Sequence, residues 1–201
     1  MFKSLLLGGV LGGLAVFIWG VVSWMVLPWH AATLLRFQDE AVVTDTLSTQ
    51  APVSGVYLLP NVHADAGTAP PDAAQKLLQQ ASARLEQGSR AFVAFKRDGM
   101  NAGIPLQFAE GIALQIGLAV LVSWLLQQTQ GLRYLRRVFF VTVVGMVIAL
   151  ASHLPNLIWW QFSLSYTLVQ MADALIGWFI AGIVIALACE GRPRARSPLF
   201  L

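Results

Sequence analysis

The sequence predicts an α-helical polytopic membrane protein: a four-transmembrane-helix bundle with a small α+β extracytoplasmic insert between helices 1 and 2. Three observations lead there. Of the 201 residues, 57% are hydrophobic and only 11% are charged, whereas soluble domains carry about 25% charged residues. Four stretches are apolar and long enough to cross a hydrocarbon core of about 30 Å. The basic residues near those stretches gather on one side of a four-span arrangement.

The first span is the most sharply drawn. From Leu5 to Leu27 there is no charged residue, and at about 1.5 Å per residue that length covers roughly 34 Å. Lys3 precedes it, Trp24 and Trp29 suit the headgroup level, and Pro28 disfavours helical geometry at Leu27. Its apolar core exceeds the 7–15 residues of a signal peptide, so it reads as a retained anchor occupying residues 1–27.

Residues 28–103 are the polar insert. Ala31 to about Thr49 reads as a helix on the spacing of its apolar residues, and Pro52 closes it. Val56-Tyr-Leu-Leu59, between Gly55 and Pro60, predicts a strand, and residues 61–71 a loop. Asp72 with Gln75 forms a capping-box pattern for a second helix ending near Gly88, and Ala91–Phe95 predicts a second strand. So small a lobe buries a modest fraction of its surface, which predicts that it leans on the membrane or on a partner.

Residues 104–201 hold the other spans, placed at about 104–127, 138–154 and 171–189, followed by a short cytoplasmic tail. Pro155 ends the third. Asn156–Gln170, with Trp159, Trp160, Phe162 and Tyr166 and no charge, suits an interfacial segment or the opening of the fourth helix, which begins between Leu164 and Met171. Lys3, Arg133, Arg136, Arg137, Arg192, Arg194 and Arg196 share one side, so both termini are expected in the cytoplasm and the insert outside. In a bacterium this means the inner membrane and the periplasm.

Several functions are excluded or disfavoured. Cys189 is the single cysteine, which rules out an internal disulfide, a Cys-x-x-Cys pair and a multi-cysteine zinc site. The net charge of +3 reflects topology, and the Arg192–Arg196 tail is too short to bind nucleic acid. Gly8-Gly-Val-Leu-Gly-Gly13 lies within a span and serves helix packing rather than a dinucleotide.

The candidate site is a set of four residues in the outer leaflet: His30, Glu110, His153 and Asp173, one from each span or its outer end. Glu110 sits about 9 Å below the start of its helix, and Asp173 about 14 Å deep if the last helix starts at Leu164. A carboxylate at such depth costs about 2.5 kcal/mol or more unless partnered, so both are expected to face inward. Convergence of the four would suit a divalent metal, a haem iron, a quinone headgroup or a proton path. No metal-binding spacing occurs on a single helix, and the bland alternative is that the four are interfacial or merely hydrogen-bonded. The sequence therefore favours a non-enzymatic accessory subunit of a larger membrane complex or homo-oligomer, ahead of a cofactor-binding redox protein or a small proton-coupled carrier.

Overall fold

The computed structural model describes residues 2–61, 70, 73–77, 79–80, 86, 88–99, 104–129 and 131–189. The chain divides into two units: residues 1–35 with 103–201, and residues 36–102.

Among its described residues the first unit contains four helices long and apolar enough to span a membrane. They are α1 (Phe2–Met25), α3 (Ile104–Gln128), α4 (Tyr134–Trp160) and α5 (Leu164–Ala188). The third span departs most from its expected bounds. The third span does not stop at residue 154 but continues through Pro155 to Trp160. Proline removes one backbone donor, and the helix closes one turn later, where Gln161 takes left-handed geometry (φ 58°) and the Phe162 N–H reaches the Asn156 carbonyl at 3.2 Å. The fourth helix starts at Leu164, the early limit of the expected range, because Ser163 caps it: the Ser163 hydroxyl accepts from the Tyr166 N–H at 3.3 Å.

The four spans pack side by side as a row in the order α3–α1–α5–α4. α1 packs along α3 on one side and α5 on the other, α4 packs on α5, and α3 and α4 touch little. The glycines of α1 explain its central position. Gly9 and Gly13 form one small face: a Cβ on Gly13 would lie 2.5 Å from the Ile116 Cα on α3. Gly8 and Gly12 form the adjacent face, and a Cβ on Gly12 would lie 2.5 Å from the Ile185 side chain on α5. Two overlapping small-xxx-small patterns thus let one helix serve two neighbours. Val16, Ala119, Val122, Trp178, Ala181 and Ile185 are among the buried residues between the helices. At the N-terminal end of α4, Arg137 donates to the carbonyls of Leu132 (2.8 Å) and Cys189 (3.0 Å), tying the α3–α4 loop and the C-terminus of α5 to α4.

The second unit holds α2 (Glu40–Gln50) and an antiparallel pair, β1 (Gly55–Leu59) and β2 (Ala91–Phe95), with Gly55 opposite Phe95 and Leu59 opposite Ala91. Both strands fall where the sequence predicts them. The helix expected from Ala31 is shorter. A 3-10 turn covers Ala31–Thr33, and α2 begins only after Asp39, whose side chain accepts from the Val42 N–H at 3.0 Å. Arg97, just past β2, donates to the Ser48 and Ala51 carbonyls at 2.8 Å each, and its N–H bonds to the Ser54 hydroxyl at 3.0 Å. The guanidinium therefore closes the C-terminus of α2, and the Arg97 backbone N–H fixes the entry to β1. Residues 73–77, 79–80 and 86 are helical, as the second expected helix requires, and residues 72, 78, 81–85 and 87 of that helix, like His63, lie outside the described residues.

Candidate functional site

Beyond Met25 the chain reverses. After Pro28, Trp29 turns back and its indole N–H donates to the Ser23 carbonyl (3.2 Å) and hydroxyl (3.0 Å) of the helix it has just left. This places His30 beside the last turns of α1 rather than beyond its outer end, and the imidazole is 2% exposed. Trp24 lies flat against it, with centroids 3.8 Å apart and planes within 10°. Trp29 meets it edge-on at 5.5 Å.

The polar side of this packet reaches α5. Nε2 of His30 stands 3.0 Å from the Ser23 hydroxyl and 3.5 Å from Oδ2 of Asp173. Trp19, one turn before Ser23 on the same face of α1, donates its indole N–H to Oδ1 of Asp173 at 2.7 Å and to the Asp173 carbonyl at 3.1 Å. Asp173 sits nine residues into α5, about 14 Å along the helix, and its side chain is 15% exposed. Charge in the membrane interior is tolerated when it is partnered, and both carboxylate oxygens here have one.

Serine, histidine and aspartate together invite comparison with a nucleophilic triad, and the geometry differs from one. In a triad the carboxylate holds one imidazole nitrogen while the other faces the hydroxyl. Here Ser23 and Asp173 both face Nε2, and Nδ1 is buried without a hydrogen-bond partner among the described residues. The tautomer that fits carries its proton on Nε2, aimed at the carboxylate and the hydroxyl. Nδ1 is then an acceptor without a partner among the described residues. The arrangement is a clamp joining α1, its following turn and α5.

Of the four residues the sequence singled out, His30 and Asp173 come together. His153, half-buried on α4, lies within electrostatic range of Asp173. Glu110 is exposed on α3 and does not join the cluster, contrary to the expected inward orientation. Burial on α3 is claimed by its small and apolar face, Ala119, Val122, Ser123 and Leu126, and at 100° per residue Glu110 falls opposite that face. Among the described residues no three of His, Cys, Asp and Glu gather closely enough to hold a metal ion. Trp24 also lines an open, largely apolar groove of about 280 Å³ between α1 and α3, together with Phe17, Phe108 and Gln115.

Trp19, Ser23 and Trp29 are the members of the cluster that the sequence left out. A signal existed: Gly8, Gly12, Val16, Trp19 and Ser23 recur at helical spacing, so the small-residue face of α1 leads directly to two polar groups. Comparison of the chain with protein-family models, with curated proteins and with solved structures finds no match.

Proposed function

We propose that this multi-pass membrane protein is a non-enzymatic accessory or interaction subunit of a larger assembly, resident in a bacterial inner membrane with both termini cytoplasmic and the insert in the periplasm. The observation that supports this best is the closure of the polar cluster. His30 is covered by Trp24 and Trp29, and Asp173 by Trp19 and His30, so the groups best able to do chemistry brace α1 against α5 instead. Surfaces suited to contact are plentiful by comparison. Trp159 at the outer end of α4 is 70% exposed and Leu35 is 93% exposed, and large aromatic and aliphatic side chains anchor interfaces.

Extraction of the full chain from its native membrane in a mild detergent, followed by mass spectrometry, tests the proposal. Stoichiometric association is the expected outcome. A lone monomer with measurable turnover would reject it.

A second function, binding of a cofactor or a proton at the cluster, is favoured by one observation, the unpartnered Nδ1 of His30. It predicts a bound chromophore or metal that is lost in His30→Ala.

A further inference from the structure

The outward face of α3 carries a pattern that the clamp does not use. Gln107, Glu110, Leu114, Gly117, Leu121 and Trp124 follow one another at alternating steps of three and four residues, the spacing of a coiled-coil seam. All six are exposed, Leu114 at 60% and Leu121 at 58%. α3 is an edge of the row, and its other side is the one packed on α1. Lipid tails suffice to cover the leucines. They cannot serve Gln107 and Glu110, which lie within the outer part of the span, because hydrocarbon offers no hydrogen bond. Neither residue has a partner among the described residues of this chain.

We propose that this seam joins two copies of the chain, α3 against α3 in parallel. Every copy crosses the membrane in the same direction, so a twofold axis along the membrane normal brings equal residues to equal depth. Gln107 and Glu110 are one turn apart, and their hydrogen-bonding groups are complementary. The carboxamide N–H of Gln107 donates to the Glu110 carboxyl of the second copy, and the second copy returns the same bond. The two groups left unserved by one chain are thus served reciprocally by two. Gly117 stands mid-seam, and a Cβ there would meet nothing within 4 Å, so the backbones have room to approach. This inference deepens the assembly proposal and rests on it.

The test uses the full-length protein in its native membrane, with Cys189→Ser as background. Oxidation should link Gly117→Cys into dimers and leave Phe139→Cys, 69% exposed on α4, unlinked. Native lipid particles should contain two copies. Gln107→Leu, a change on an exposed face that leaves the internal packing alone, should weaken association about tenfold by removing both reciprocal bonds, while Glu110→Gln, which keeps amide pairing, should retain it. Linking at both cysteine positions, or equal association in Gln107→Leu, would overturn the seam. One copy bound to a different membrane protein would overturn the second-copy inference and leave the assembly proposal standing; one copy alone would overturn both.

Discussion

Nε2 of His30 stands 3.5 Å from the carboxylate of Asp173, and this contact ties the turn after the first span to the interior of the last. Removing the imidazole leaves the Trp19 indole as the carboxylate's hydrogen-bond donor among the described residues. His30→Ala is expected to lower stability by about 1–3 kcal/mol, the cost of an under-partnered buried polar group. Asp173→Asn should cost a comparable amount. Thermal unfolding of the two single variants and the double variant in detergent measures the coupling: the double variant should lose less than the sum of the singles, and strict additivity would show that the pair does not interact.

The glycines of α1 make opposite predictions a few residues apart. Gly13→Ala drives a methyl into the backbone of Ile116, which cannot yield as a side-chain tip can, and should destabilise by about 1–3 kcal/mol. Gly20→Ala meets nothing within 4 Å and should be neutral or stabilising by up to about 1 kcal/mol through helix propensity. Melting temperatures in one detergent compare them directly.

Arg97 organises the insert. Arg97→Ala removes both carbonyl contacts at the end of α2 and should cost about 1 kcal/mol at this exposed position. The expected readout is faster amide hydrogen exchange near Leu47–Ser54 in the full-length protein, with exchange in α5 unchanged. Equal exchange throughout would contradict the role given to Arg97.

Orientation is tested by fusions after Asp65, Gly131 and Leu201. Alkaline phosphatase should be active only at the first and green fluorescent protein should fluoresce only at the other two. Phosphatase activity at Gly131 would invert the arrangement.

The spans and both strands of the insert were legible because they rest on local pattern: uninterrupted apolar length for the spans, β-rich runs between Gly and Pro for the strands. Boundaries that depend on capping were less so. Pro155 looked like a stop, yet the helix ends with Gln161 in a left-handed geometry that a glutamine does not advertise. The pairing of His30 with Asp173 was half legible, since depth placed both in one leaflet. The reversal after Pro28, which buries His30, depends on indole-to-backbone contacts that no spacing rule encodes. Glu110 misled because depth alone implied an inward direction, while the small-residue face that α3 buries points the other way.

The position of α1 in the row has a bearing on biogenesis. It enters the bilayer before either of the helices it touches has been synthesised, and its contacts with α5 close a loop spanning most of the sequence. Contacts so distant along the chain form late. Until then two glycine-lined faces of α1 are open to lipid, and the hairpin of α4 and α5 must slide in beside a helix already waiting. The two glycine-lined faces of α1 therefore fill in the order of the chain, the α3 side before the α5 side.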